Sequence, residues 1–123
     1  PGFDAETVCY CLKTGLPVFP GCATATEVQQ ALRLGLSVLK FFPAEAAGGL
    51  RTLKALSAPF PQVRWMPTGG INLGNLADYL AFPRVIACGG SYLTAKDDIR
   101  AKDWAKITDI CCRTVQLIRG MPV

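Results

Sequence analysis

Ser37-Val38-Leu39-Lys40-Phe41-Phe42-Pro43 is an apolar run broken at one interior position, by a lysine. Strand side chains alternate between faces, so Val38, Lys40 and Phe42 share one face while Leu39 and Phe41 share the other. A parallel strand covered on both faces reads as a near-continuous hydrophobic stretch, and this one does so apart from Lys40. Dry surroundings disfavour an ammonium ion relative to the free amine. A desolvated lysine is the residue type that attacks a carbonyl carbon and forms a Schiff base. A plainer alternative stays open, in which the lysine stem covers apolar surface and its head reaches water at the strand end.

Outward from this strand, the chain alternates between two patterns. On the N-terminal side, Leu16-Pro17-Val18-Phe19-Pro20 predicts a strand. Thr24 and Glu27 then have capping-box spacing, and Val28, Ala31, Leu32 and Gly35 fall on one helical face. Before that strand, Asp4 predicts a cap for a helix over Ala5–Thr14, with Val8, Cys11 and Leu12 inward and Gly15 closing it. On the C-terminal side, a helix is expected over Gly49–Ser57, with Leu50, Leu53 and Leu56 at helical spacing and Pro59 beyond. A strand over Val63–Pro67 runs into Thr68-Gly69-Gly70, and a helix carrying Leu73, Leu76, Ala77 and Leu80 follows. The segment Arg84–Cys88 predicts a strand closing in Gly89-Gly90-Ser91. A last helix is expected from about Asp103 to Arg119, with Trp104, Ile107, Cys111, Val115 and Ile118 inward.

Strands alternating with helices imply a parallel sheet joined by right-handed crossovers. Three strands end in proline, at Pro20, Pro43 and Pro67, and Pro1-Gly2 repeats the Pro20-Gly21 strand end. The pattern therefore predicts an α/β fold: the C-terminal half of a (β/α)8 TIM barrel, with four parallel strands alternating with five helices. On this reading residues 1–123 form a single partial barrel domain whose N-terminal strands are missing. A small open doubly wound sheet is the alternative.

Composition narrows the chemistry. The chain of 123 residues is 50% hydrophobic and 18% charged, below the usual charged share of about 25%. That balance suggests more apolar surface than an independent small globule buries. The net charge of +4 is scattered, without the basic stripe and interleaved aromatics of a nucleic-acid binder, and it suits a small anionic substrate. No run approaches the roughly 20 apolar residues of a membrane span, and no signal-peptide pattern is present. The cysteines, Cys9, Cys11, Cys22, Cys88, Cys111 and Cys112, contain no CxxC pair, and histidine is absent. No metal site is expected, and thiols among apolar neighbours point to a cytoplasmic location. Without histidine, serine–histidine and cysteine–histidine catalysis are excluded, leaving carboxylates, lysine, tyrosine or water to move protons.

Barrels gather functional groups at the C-terminal ends of their strands. Here those ends carry Pro20-Gly21-Cys22, Lys40 to Glu45, Thr68-Gly69-Gly70 and Gly89-Gly90-Ser91. The last two strand ends are the common phosphate-binding position, and glycine lets backbone amides approach an anion. Tight turns need glycine as well. Thr68 is a candidate to hydrogen-bond a substrate carboxylate or hydroxyl, or to cap a turn. Phe42 is a candidate apolar wall beside the amine, and Glu45 a candidate acid or base, or a helix cap.

Lys40-Phe-Phe-Pro-Ala-Glu45 with Gly48-Gly49, Arg64-Trp-Met-Pro-Thr-Gly-Gly70, and Cys88-Gly-Gly-Ser91 resemble the 2-keto-3-deoxy-6-phosphogluconate aldolase family. That family includes bifunctional enzymes that also cleave 4-hydroxy-2-oxoglutarate. The resemblance runs in order along the whole chain. It implies a class I aldolase on a (β/α)8 barrel, a homotrimer in the full-length protein, needing no cofactor or metal. Lys40 matches the Schiff-base lysine, Phe42 and Thr68 match pyruvate-pocket residues, and Pro20 ends a strand beside them as a substrate contact. Gly69, Gly70 and Ser91 match the phosphate site, with Gly89 and Gly90 shaping its loop.

The implied reaction splits the phosphorylated keto acid into pyruvate and glyceraldehyde 3-phosphate, or the smaller substrate into pyruvate and glyoxylate. The family's general acid/base glutamate and its carboxylate-binding arginine lie upstream of Pro1. Glu45 matches a loop glutamate and does not replace that base. The chain alone is thus expected to be inactive or nearly so. Two alternatives remain at this level: another phosphate-binding barrel enzyme, such as a thiamine-phosphate synthase-like or phosphoribosyl-isomerase-like protein, and a non-catalytic module docking through exposed strand edges.

Overall fold

The computed structural model describes residues 1–121. Two strands, β1 (Val38–Phe41) and β2 (Arg64–Pro67), pair in parallel, with Lys40 opposite Met66 and Phe41 opposite Pro67. Around them lie α1 (Ala5–Thr14), α2 (Ala25–Arg33), α3 (Gly49–Ser57), α4 (Leu76–Leu80), a 3-10 turn at Ser91–Thr94, α5 (Lys96–Arg100) and α6 (Trp104–Arg119). Among the described residues, no helix is long and apolar enough to cross a membrane.

The two outer segments expected as strands are not regular strands. Each joins the sheet through isolated parallel bridges: Gly21 with Lys40 on one side, Trp65 with Val85 and Thr68 with Gly89 on the other. Proline explains both interruptions, because it has no N–H to give to a ladder. Pro17 and Pro20 lie in the first segment, whose bonds to β1 are the Lys40 amide to the Pro20 carbonyl at 3.0 Å and the Cys22 amide to the Lys40 carbonyl at 2.7 Å. On the other edge, the Trp65 amide donates to Arg84 at 2.8 Å and the Ile86 amide to Trp65 at 3.0 Å. The next donor from β2 would be Pro67, and the ladder breaks there. The order 20–22, β1, β2, 85–89 still runs parallel throughout.

Local chemistry sets the helix ends. Asp4 accepts the Thr7 amide at 2.8 Å, and Gly15 closes α1 in the left-handed region at φ 71. Thr24 and Glu27 form a complete capping box, with Glu27 accepting the Thr24 amide at 2.9 Å. The core lies on the helix-facing side of the sheet. Leu39, Phe41 and Trp65 are fully buried there against Val28 and Ala31 of α2, Leu53 of α3, and Leu76 and Tyr79 of α4. Phe41 meets Trp65 edge-on, with ring centroids 6.2 Å apart.

Three expectations about burial fail, the first at Leu12, expected inward on α1 and 43% exposed. The opposite face of the sheet, carrying Val38, Lys40 and Met66, is only half-buried, so β1 is not covered on both sides in this chain. On α6 the stripe expected to point inward is largely exposed: Trp104 at 58%, Val115 at 45% and Ile118 at 47%. The buried position on that helix is Thr114, whose hydroxyl lies 3.1 Å from the Tyr92 hydroxyl. Helical spacing predicts which residues share a face, and it does not supply a surface for that face to meet.

Candidate active site

β1 delivers Lys40 to the half-buried face, and its backbone is pinned by the bonds to Pro20 and Cys22 described above. Its side chain has one close aromatic neighbour. The Lys40 Nζ lies 4.7 Å from the centroid of the Phe42 ring, so the ring face orients the amine and excludes water from one side of it. Thr68 directly follows β2. Its amide donates to the Phe41 carbonyl at 2.9 Å, and its hydroxyl reaches the Met66 carbonyl at a long 3.4 Å. Gly69 completes the corner: a Cβ there would stand 3.3 Å from the Phe42 ring. The fold thus brings Pro20, Lys40, Phe42, Thr68 and Gly69 to one end of the sheet. Among the described residues, Lys40 makes no ion pair.

The paired glycines have packing reasons of their own. Gly69 and Gly70 take φ values of +99 and +81, which disfavour any side chain, and a Cβ on Gly70 would strike Glu45 at 2.6 Å. A Cβ on Gly89 would strike the Thr68 hydroxyl at 2.6 Å, and one on Gly90 the Tyr92 ring at 2.5 Å. Packing does not account for the amides. Among the described residues, the N–H groups of Gly69, Gly70, Ile71, Gly90 and Ser91 donate to no protein acceptor. The Gly89 amide is taken by the Pro67 carbonyl at 2.9 Å, so Gly89 spaces the loop and is not a free donor. Asn72 and Asn75 both donate to the Gly70 carbonyl at 3.1 Å and fix its direction. Successive free amides of this kind suit an anion. Gly70, Ile71 and Ser91 line a cleft of about 540 Å³, together with Asn72, Thr94 and Lys96 among others.

Glu45 is committed elsewhere. Its Oε1 accepts the Tyr79 hydroxyl at 2.5 Å, from a tyrosine only 1% exposed. Burial, and then the bond to Glu45, push the Tyr79 phenol well above its usual range, so it stays a donor. This contact spans 34 residues of sequence and was not legible in it. Lys96 lines the cleft, and nothing in its local pattern separates it from an ordinary surface lysine. The thiols offer no rival nucleophile at the strand ends. Burial, with the Glu27 charge second, pushes Cys22 up to about 12, and burial pushes Cys88 up to about 11. Among the described residues, no group of three or more histidine, cysteine, aspartate or glutamate side chains could hold a metal ion.

The chain matches known proteins along most of its length. A family model described as KDPG and KHG aldolase covers residues 1–110. The 2-dehydro-3-deoxy-phosphogluconate aldolase of Treponema pallidum is 48% identical over 121 residues, which is 98% of this chain and 58% of that protein. The KHG/KDPG aldolase of Escherichia coli is 40% identical over 116 residues, 94% of this chain and 54% of that one. Among solved structures, the KDPG aldolase of Legionella pneumophila superposes with a TM-score of 0.86 at 42% identity, covering 90% of this chain and 54% of that one. That structure holds pyruvate captured as a covalent carbinolamine intermediate. This chain spans about half the length of the curated relatives it matches. With its motifs in order and its family match running over most of its residues, the chain belongs to the KDPG and KHG aldolase family.

Proposed function

We propose that this chain is the C-terminal half of a (β/α)8 barrel and supplies the nucleophile and phosphate-binding end of a class I aldolase. Its substrate is 2-keto-3-deoxy-6-phosphogluconate, with 4-hydroxy-2-oxoglutarate as the smaller alternative. The observation that carries this reading is the Lys40 amine held over the Phe42 ring, at a strand end shared with Thr68 and the free glycine amides.

The chemistry follows from those groups. The neutral Lys40 amine attacks the keto carbon, and the carbinolamine takes up a proton and loses water to give a protonated imine. A base takes the proton of the C4 hydroxyl, and the C3–C4 bond breaks with its electron pair drawn into the imine. The products are an enamine of pyruvate and glyceraldehyde 3-phosphate. Protonation of the enamine carbon and hydrolysis of the imine release pyruvate and restore the amine. Phe42 keeps water from one side of Lys40, and Thr68 offers its hydroxyl to the keto-acid carboxylate. The free amides near Gly70 and Ser91 receive the phosphate.

Glu45, already bonded to Tyr79, does not serve as the base. The proton-transfer glutamate that the family resemblance implies matches none of these residues, so this chain by itself is expected to be inactive or nearly so. The full-length protein assembles as a cytoplasmic homotrimer on this reading.

Borohydride reduction in the presence of pyruvate, followed by peptide mass spectrometry, tests the proposal. A reduced pyruvate adduct on Lys40, with none on Lys13, Lys54 or Lys96, is the expected result, and Lys40→Met abolishes it. Labelling spread over the exposed lysines, or none on a folded chain, overturns the assigned nucleophile. Steady-state cleavage by the purified chain overturns its assigned inactivity.

A further inference from the structure

We propose that Lys96 is the charge-selecting residue of the cleft beside Gly70 and Ser91, pairing with the phosphate of a phosphorylated keto acid and favouring it over an unphosphorylated one. This rests on the aldolase reading above and adds to it a residue outside the glycine and serine motifs.

Three observations carry it. The first is position: Lys96 opens α5, directly after the turn that begins at Ser91, and lines the same cleft as Gly70, Ile71 and Ser91. It is the charged residue on that lining. The second is charge. Lys96 is followed by two aspartates that would ordinarily neutralise it, yet each is already engaged. Asp97 pairs with Arg100 at 3.2 Å, and Asp98 pairs with Lys106 at 2.6 Å. Among the described residues, Lys96 makes no ion pair of its own. The third is the set of free amides at Gly70, Ile71, Gly90 and Ser91.

Backbone amides give direction to an anion site but carry only partial charges. A phosphate monoester carries a charge of about −1.5 to −2 near neutral pH and is held more firmly when a cation joins the amides. Lys40 cannot fill that role, since its nitrogen is taken up in the bond to the keto carbon. A lysine is a flexible point charge suited to phosphate without the planar geometry that arginine imposes. Lys96 therefore strengthens binding of the phosphorylated end and leaves the keto-acid end untouched.

The test is a titration of the folded 123-residue chain with inorganic phosphate, followed by the NMR shifts of the Gly70, Ile71 and Ser91 amides. Saturable shifts at those amides are expected. Lys96→Met weakens phosphate binding by about threefold to tenfold, as expected for one partly solvated charged contact. Lys96→Arg retains most of the affinity. Lys13→Met, which removes the same charge from the last turn of α1, leaves it unchanged. Equal affinity in Lys96→Met and Lys13→Met overturns the role of Lys96 while the phosphate site stands. The absence of any phosphate response at those amides in the unaltered chain removes the site itself and this inference with it.

Discussion

The end of the sheet that carries Lys40 and the cleft beside Ser91 are adjacent strand-end features, yet they are completed in different ways. At Lys40, the chain supplies a backbone anchor and one aromatic wall, and the face around it is half-buried. At the cleft, neighbouring segments fix nearly everything. Asn72 and Asn75 hold the Gly70 carbonyl, the Glu45–Tyr79 contact packs against Gly70, and Tyr92 reaches Thr114 on α6. An anion site built from free amides needs only correctly turned loops, which local side chains can enforce. A reactive amine is favoured by dry surroundings, and of these the chain supplies the Phe42 ring on one side of Lys40.

The strongest way to break this comparison is to remove what the two sites share. Trp65 is fully buried on β2, between β1 and the segment that leads into Gly89. Trp65→Ala is expected to cost about 3–5 kcal/mol, measured by chemical denaturation, and to abolish phosphate shifts and Lys40 labelling together. Survival of either alone would show that the sites are not held by one core.

A smaller change separates them. Gly70→Ala must hold a side chain at φ +81 and displace Glu45, for a cost of about 1–3 kcal/mol and loss of the phosphate response. Val38→Ala, on the half-buried Lys40 face, is expected to cost less than about 1 kcal/mol and to leave the cleft intact. Reversed magnitudes would mean that the Lys40 face carries the greater share of the packing.

The smallest effect is one of pH. Glu27 is raised by partial burial, but bonds from the Ala23 amide, the Thr24 side chain and the Thr24 amide outweigh this and hold it below its ordinary value of 4.5. A carboxylate depressed in the folded state contributes stability above its unfolded value, and that stability is lost as pH falls through the folded one. Acidification below about 4.5 should therefore loosen the start of α2 and the adjoining Cys22–Lys40 backbone hydrogen bond before the Ser91 cleft. Hydrogen exchange at Cys22 and Ser91 reads the order. Glu27→Gln should flatten the acid limb.

Much of this was legible in the chain because it is local. Asp4, Gly15 and the Thr24–Glu27 pair set helix ends within one turn of themselves, and the ends of α1 and α3 fall where the sequence places them. The motifs around Lys40, Thr68 and Ser91 carry the family. The outer strands were misread because the prolines that mark strand ends also remove ladder donors. The α6 stripe was misread because periodicity reports a shared face and not its cover.

The sequence by itself determined the order of the elements and most of their caps, both consequences of backbone preferences and spacing over a few residues. Tertiary structure alone decided that Tyr79 holds Glu45 across 34 residues and that the Gly89 amide is taken by Pro67; among the described residues it also leaves the Gly90 amide without an acceptor and Lys96 without an ion pair. Those facts depend on which distant groups the folded chain sets within hydrogen-bond or ion-pair reach, and no local pattern encodes that distance.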